Sequence, residues 1–516
     1  MSILSIENLS FGFADKILFK DISLNILNGE HAGLVGINGV GKSTLFNIIV
    51  GELIPDEGRV YKSASTKIGY LDQHSELEDG KTIREVLKES FSELYAMEAK
   101  MLKVGDKLSR ASEVEMEKLL KEFSRLQDAL SASDFYNIDS YIENVANGLG
   151  LSHLGMETPV EKLSGGQRTK VKLAKLLLTS YDLLLLDEPT NYLDKEHVDW
   201  LAGYLQNYAK SFVVISHDTA FINNITNVIY HLQFAALKRY PGNYEKFLKL
   251  SEDETQRYMQ EYQKQQKEIK KLQDYIDKNK VRASTSKMAL SRQKKLDKIE
   301  RIEKPKTPPK PYFSFLEARK SGKLIFESNS MDIGYRYPII KNLNLKLTRG
   351  EKVAITGCNG IGKSTLLKTL MGVISPLHGD INFGVHIYPS YFEQEVKPKD
   401  ITPIDEVWNE YPEKTQAEIR EALGKCGLKR EHIMQNMCAL SGGEQAKVRL
   451  CKLMMKESNW LVLDEPTNHL DVSAKEILKE ALINFGGTVL LVCHEREFYK
   501  DWVTAEWNME EYCLGK

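Results

Sequence analysis

Polar and apolar positions change period several times along this chain, and each change marks an element. As far as residue 80, short strand-like apolar runs alternate with turn residues, and a first helix opens at Lys42. Apolar strands at 182–186 and 212–216 bracket a helical stretch at 195–208. Strands alternating with helices predict an α/β domain with a mainly parallel sheet. In between, Leu87, Phe91, Leu94 and Met101 fall at helical spacing, and after Gly105 a second stripe runs through Met116, Leu119, Leu120, Phe123, Leu126 and Leu130. Two amphipathic helices joined by a polar turn predict a helical hairpin over 87–135, an arm laid along the domain. From 245 the spacing becomes heptad-like through Tyr258, Tyr262, Ile269, Leu272 and Ile276, and a return helix through Leu296, Ile299 and Ile302 pairs back on it. The stretch Lys-Pro-Lys-Thr-Pro-Pro-Lys-Pro (304–311) cannot be helical and is expected to be extended. From Leu324 the opening pattern resumes.

That resumption is a repeat. Lys42 recurs as Lys363 and Gln73 as Gln394, both at an offset of 321, whereas Ser164, Asp187 and His217 recur as Ser441, Asp464 and His494 at an offset of 277. The drop between the two offsets places an insertion of 44 residues in the first copy, where the arm is predicted. A repeat of about 200 residues is a whole domain rather than a solenoid unit. The expected organisation is a first domain at 1–244, a helical linker at 245–320 and a second domain at 321–516.

Composition excludes little. Hydrophobic content of 42%, charged content of 28% and a net charge of −2 are ordinary for a soluble protein. Cys358, Cys426, Cys438, Cys451, Cys493 and Cys513 all fall in the second copy, none at metal-ligand spacing, and read as reduced, mostly buried thiols of a cytoplasmic protein. The N-terminus has no basic segment leading into an apolar one, so no signal peptide is expected. No apolar run approaches the roughly 18 residues of a membrane span.

The chemistry lies in matched motifs. Gly36, Asn38, Gly39, Gly41, Lys42, Ser43 and Thr44 form one P-loop; Gly357, Asn359, Gly360, Gly362, Lys363, Ser364 and Thr365 form the other. The glycines let backbone N–H groups close around phosphates at a helix N-terminus. Each lysine would reach the terminal phosphates, and Ser43 and Ser364 would hold Mg²⁺. Behind them, Leu-Leu-Leu-Leu-Asp-Glu (183–188) and Trp-Leu-Val-Leu-Asp-Glu (460–465) end apolar strands in paired acids. Asp187 and Asp464 are placed to orient Mg²⁺ through water, and Glu188 and Glu465 to polarise the attacking water. Ser164, Gly165 and Gly166, like Ser441, Gly442 and Gly443, open amphipathic helices with free N–H groups and form a second anion seat. Two seats per domain predict a head-to-tail sandwich in which each Ser-Gly-Gly caps the γ-phosphate held by the other P-loop.

With these motifs the sequence resembles the ATP-binding-cassette superfamily, both cassettes on one chain. Asp-Glu-Pro-Thr-Asn-Tyr-Leu-Asp (187–194) and Asp-Glu-Pro-Thr-Asn-His-Leu-Asp (464–471) further resemble the ABC-F subfamily, which has no membrane domain. The resemblance covers essentially the whole chain and implies an ATPase. It implies that Phe13 and Tyr335 stack on adenine, that Gln73 and Gln394 sense the γ-phosphate and metal, that Asp194 and Asp471 link the sites, and that His217 and His494 contact the γ-phosphate. No motif position is degenerate in either half, so two hydrolysis-competent sites are expected. Cys358, inside the second P-loop, reads as a tolerated small residue.

Residues 278–298 hold eight basic side chains against one acid, Asp297. Lys280, Arg282, Lys287, Arg292, Lys294 and Lys295 lie in this stretch, where no aromatic residue is interleaved, so phosphate contacts rather than base stacking are indicated. The bland alternative is a solvated face. The ABC-F linker is similar in position and occupies the ribosomal tRNA exit site beside the peptidyl-site tRNA. The resemblance therefore implies a monomeric, cytoplasmic ribosome-binding translation factor, acting on peptidyl-site tRNA or a stalled ribosome. Antibiotic protection of the ribosome is the alternative within the subfamily; the short turn near 281–288 tilts against it. A motor for a separately encoded membrane subunit and a DNA-repair ATPase are the alternatives from other classes.

Overall fold

The computed structural model describes the chain apart from residues 1, 14–15, 64–65, 72–76, 78–79, 109–112, 134, 192, 280–285, 298, 300–310, 395–397, 469 and 514–516. In the first copy six strands lie in the order Ile68–Leu71, Leu183–Asp187, Ser211–Ile215, His31–Val35, Val228–Gln233 and Ala236–Pro241. Neighbours are parallel except for the last pair. Every residue of Leu183–Asp187 and Ser211–Ile215 is buried, as a central strand covered on both faces requires. Burying each such leucine contributes about 1.5–3 kcal/mol, so these runs fix the sheet centre.

The second copy repeats this with five parallel strands, Pro389–Phe392, Trp460–Asp464, Thr488–Val492, Lys352–Thr356 and Ala505–Asn508. Its last strand runs into the helix Met509–Cys513 instead of a sixth strand. Each copy also carries an antiparallel sheet, with Ser2–Phe13 between Lys16–Leu27 and Glu57–Lys62 in the first. The helix Lys42–Val50 is wedged between the two sheets, its Leu45 and Phe46 packed with Leu4, Phe19 and Leu185. The loops at the carboxyl ends of the parallel strands therefore converge, the usual place for a ligand in such sheets.

The arm is the helix pair Ser92–Leu108 and Glu113–Ala132, with a connection outside the described residues. Gly105 is not at the turn. It lies inside the first helix, where an added Cβ would sit 3.5 Å from Phe123, so it serves the close approach of the two helices. Leu87 belongs to a separate helix, Ile83–Lys88, begun by a capping box between Thr82 and Glu85 and packed into the core.

The linker helix Tyr244–Asn279 spans 36 residues, and its first turns pack on the first copy through Phe247, which is buried with Tyr240 and Ile229. The return helix is described over Ser286–Asp297; Ile302 and residues 304–310 lie outside the described residues. Ile276 and Leu296 are buried in the hairpin, Arg292 stands 3.5 Å over the Tyr275 ring, and Lys295 Nζ lies 3.0 Å from Glu268. Phe313 and Phe315 are buried in the core of the second copy, where the Tyr312 N–H donates to Lys425 O at 2.7 Å and Ala318 N–H to Ser458 O at 3.0 Å. Two alternating aromatic rings outweigh the local polarity of this segment and make it an extended edge of the second domain.

Candidate nucleotide sites

Each P-loop joins a buried strand to a helix through a glycine in the left-handed region, Gly41 at φ 107° and Gly362 at φ 110°. A Cβ on Gly41 would also stand 2.9 Å from the Phe19 ring, so only glycine fits there. Lys42 Nζ donates to Gly36 O at 2.8 Å and Ile37 O at 3.3 Å; Lys363 Nζ donates to Gly357 O at 2.6 Å and Cys358 O at 3.1 Å. Both lysines thus bridge their own loops and hold them curled. Burial lowers the pKa of both, opposed by the nearby carboxylates. Ser43, Thr44, Ser364 and Thr365 open the helices beside them.

Glu188 and Glu465 follow their strands at φ 49° and 50°, the left-handed region that a non-glycine residue occupies at a cost of about 1–3 kcal/mol. Their N–H groups donate to Ile215 O at 2.9 Å and Val492 O at 3.0 Å, which fixes the turn. The turn aims each carboxylate at a histidine. The His217 N–H donates to Glu188 Oε2 at 3.2 Å, with Nε2 3.3 Å from Oε1; His494 Nε2 is 3.0 Å from Glu465 Oε1 and 3.3 Å from Lys363 Nζ. Burial first, then the negative charge of Asp187, pushes the Glu188 carboxyl up to about 8.

Asp464 is 1% exposed, and burial pushes its carboxyl up to about 6. Neither of its oxygens meets a donor at full hydrogen-bond geometry among the described residues; the Ser364 side chain alone is near enough to favour its charged form by hydrogen bonding. A buried, under-partnered carboxylate beside the P-loop serine suits a divalent cation. Asp187 is buried at the matching place. Gln394 follows the strand Pro389–Phe392; Gln73 lies outside the described residues.

The two copies meet head to tail. Asp194 Oδ1 accepts the Asn359 N–H at 2.8 Å, so an acid of the first copy touches the P-loop of the second. Reciprocally, Asp471 of the second copy is near enough to favour the Lys42 ammonium. The contact is not symmetric, because Asp471 also caps its own helix, accepting the Ala474 N–H at 2.9 Å. Glu444 Oε1 lies 3.0 Å from where a Cβ on Gly39 would stand and 3.0 Å from His432 Nδ1. Glu444, where the first copy has Gln167, thus puts a carboxylate against the first P-loop, with His432 beside that carboxylate.

Ser164 and Ser441 cap their helices through full capping boxes with Gln167 and Glu444. This narrows the expected anion seat. The boxes use the serine N–H and that of the third helical residue, so the seat is left to the glycine N–H groups of Gly165 and Gly166, or Gly442 and Gly443. Phe13 and Tyr335 are 53% and 64% exposed, which leaves ring surface to receive a flat ligand.

Cys358 is not merely a small residue. Its Sγ donates to Glu510 Oε1 at 2.8 Å, and this bond, with burial, pushes the thiol up to about 11. Glu510→Gln is expected to bring the thiol back toward its ordinary range and speed maleimide labelling at pH 8 by about ten-fold, given the usual trade between thiolate fraction and nucleophilicity. Labelling rates followed by mass spectrometry check this. Of the other described cysteines, Cys426, Cys451 and Cys493 are buried and Cys438 is exposed.

A family model described as ABC transporter matches residues 19–191 and 340–468, more than half of the chain, and a second of the same description matches 230–315. The fold and site are those of a tandem-cassette ATPase. The chain is 54% identical over 99% of its length to an uncharacterized ABC transporter ATP-binding protein, YfmM, of Bacillus subtilis, covering 99% of that protein. It is 36% identical over 99% of its length to ABC transporter F family member 5 of Arabidopsis thaliana, covering 75% of it. The chain belongs to the ABC-F subfamily of ATP-binding-cassette ATPases. Its fold matches that of the archaeal ribosome recycling factor aABCE1 in complex with the stalk protein aP1, with a TM-score of 0.57 at 17% identity, over 97% of this chain and 87% of that one. No helix among the described residues is long and apolar enough to cross a membrane.

Proposed function

We propose that this ATPase is a translation factor that closes on two ATP molecules, binds the ribosome at the tRNA exit site and acts on peptidyl-site tRNA or on a stalled ribosome. The observation that carries this reading is the head-to-tail contact of Asp194 with the Asn359 N–H, combined with a basic hairpin between the two cassettes. ATP held by one P-loop and capped by the opposite Ser-Gly-Gly holds the cassettes together, and the hairpin, continuous with the first cassette through Phe247, moves with them. One of the fold neighbours is an archaeal ribosome recycling factor.

Within each site Phe13 or Tyr335 stacks on adenine, and the P-loop N–H groups with Lys42 or Lys363 hold the phosphates. Glu188 or Glu465 takes a proton from the attacking water. His217 or His494 holds that glutamate and contacts the γ-phosphate, and Gln73 or Gln394 reports its presence. Ser43, Asp187 and Gln73, or Ser364, Asp464 and Gln394, would hold Mg²⁺, which offsets the phosphate charge. Asp194 and Asp471 carry the state of one site to the other.

The test is sedimentation of the Glu188→Gln, Glu465→Gln variant through a sucrose gradient with ribosomes. In ATP it is expected to migrate with intact ribosomes, and without nucleotide to stay at the top. Failure to co-migrate in low salt with ATP would sink the ribosome assignment and turn the search to a membrane or DNA partner.

A further inference from the structure

Arg449 lies two turns into the helix Gly442–Met455, whose first residues form the Ser-Gly-Gly seat. Its Nη1 donates to Glu393 O at 2.8 Å and to Gln394 O at 2.7 Å, and its guanidinium stands 5.0 Å from the centre of the Phe392 ring. These carbonyls follow the last residue of the strand Pro389–Phe392, where ladder partners end, and a charged donor shared by two successive carbonyls fixes the intervening peptide.

The same peptide is held from the other side. Glu393 Oε1 pairs with Lys368 Nζ at 3.0 Å, and Lys368 belongs to the helix Lys363–Leu370 that begins with the P-loop lysine. Residues 393–394 are thus clasped between the helix that binds phosphate in this cassette and the helix that faces the other one. At the offset of 277 the first cassette has Lys172, also basic but without a planar pair of donors.

We infer that Arg449 is a positioning residue. It fixes Gln394 toward the γ-phosphate of the second site and ties that glutamine to the helix whose Ser-Gly-Gly end faces the first site. A γ-phosphate that draws Gln394 inward then pulls on Arg449, and through it on the cap of the opposite nucleotide. This rests on Gln394 as the γ-phosphate sensor proposed above.

The test measures binding of fluorescent ATP and ADP analogues to the full chain carrying Lys42→Ala, which leaves nucleotide binding to the second P-loop. Gln394→Ala, Arg449→Gln and Arg449→Lys are added separately. Losing a charged hydrogen-bond pair is expected to cut the preference for ATP over ADP roughly ten-fold in Arg449→Gln, close to the loss in Gln394→Ala. ADP affinity should stay unchanged, whereas a general loss of structure would weaken both nucleotides. Arg449→Lys, which copies the first cassette, is expected to lose about three-fold, and it carries the test alone if Arg449→Gln does not fold. A loss in Gln394→Ala with none in the Arg449 variants overturns the inference alone. No loss in Gln394→Ala overturns both the inference and the sensor role.

Discussion

Replacing Glu188 and Glu465 together by glutamine is expected to slow ATP turnover by roughly two to four orders of magnitude, the usual worth of a general base, while nucleotide binding stays intact. Both glutamates sit in a strained left-handed turn at the end of a buried strand, with their backbone N–H groups bonded to the neighbouring strand. Glutamine keeps the length of the side chain and an oxygen to accept the His217 N–H, so the loop geometry survives. What it lacks is an oxygen that can take a proton from water. Phosphate release under saturating ATP measures the loss, and titration with a fluorescent ATP analogue measures what remains. Turnover within three-fold of the parent chain would remove both residues from the catalytic role. Either single variant separates the sites, because each glutamate has its own histidine and its own P-loop.

The matched offsets made the tandem architecture legible. Glycines, a lysine and paired acids at fixed spacing answer to local chemistry, and phosphate binding leaves few alternatives for such patterns. The strands also appeared within a residue or two, because a run such as Leu-Leu-Leu-Leu-Asp can be buried on both faces only at a sheet centre. What the sequence hid is chemistry between distant segments. Nothing at 444 says that its carboxylate will rest against Gly39, 405 residues earlier in the chain, with His432 behind it. Nor does position 449 announce that its guanidinium reaches back to 393 and 394.

The docking of the linker's end on the second cassette stayed hidden for a related reason. The proline-rich run before 312 reads as a linker that continues, yet two phenylalanines in alternation are enough to dock the following segment on the second cassette. The Ser-Gly-Gly seat was recognised by its glycines, whereas the capping role of Gln167 and Glu444 depends on side chains folding back over three residues. A signal for that was present, since serine followed three residues later by Gln or Glu at a helix start is a capping box.

The linker tip carries the other large expected effect. Of the basic residues assigned to RNA, Lys280 and Arg282 and the side chain of Lys287 lie outside the described residues, and the rest divide into two kinds. Arg292 lies over Tyr275 and Lys295 pairs with Glu268, so both hold the hairpin together, whereas Lys294 is exposed on the helix surface. An exposed ion pair contributes under about 1 kcal/mol, so Lys295 can exchange Glu268 for a phosphate, but Arg292 would leave an aromatic face. If four cations of the tip meet RNA phosphates, the logarithm of the affinity for ribosomes should fall with that of salt concentration at a slope of about −3, a loss of roughly 60-fold between 50 and 200 mM. Replacing Lys280, Arg282, Lys287 and Lys294 by glutamine should flatten that slope markedly and leave ATPase activity without ribosomes unchanged, since the four lie in the linker stretch, apart in sequence from every nucleotide motif. Arg292→Gln should behave differently, loosening the hairpin and lowering affinity about equally at every salt concentration, because a cation–π contact releases no counterion. Sedimentation of the ATP-bound, hydrolysis-deficient chain with ribosomes over a salt series distinguishes the two. An unchanged slope in the quadruple variant would mean that the tip faces solvent or protein rather than RNA, and the ribosome contact would then have to be sought on the arm.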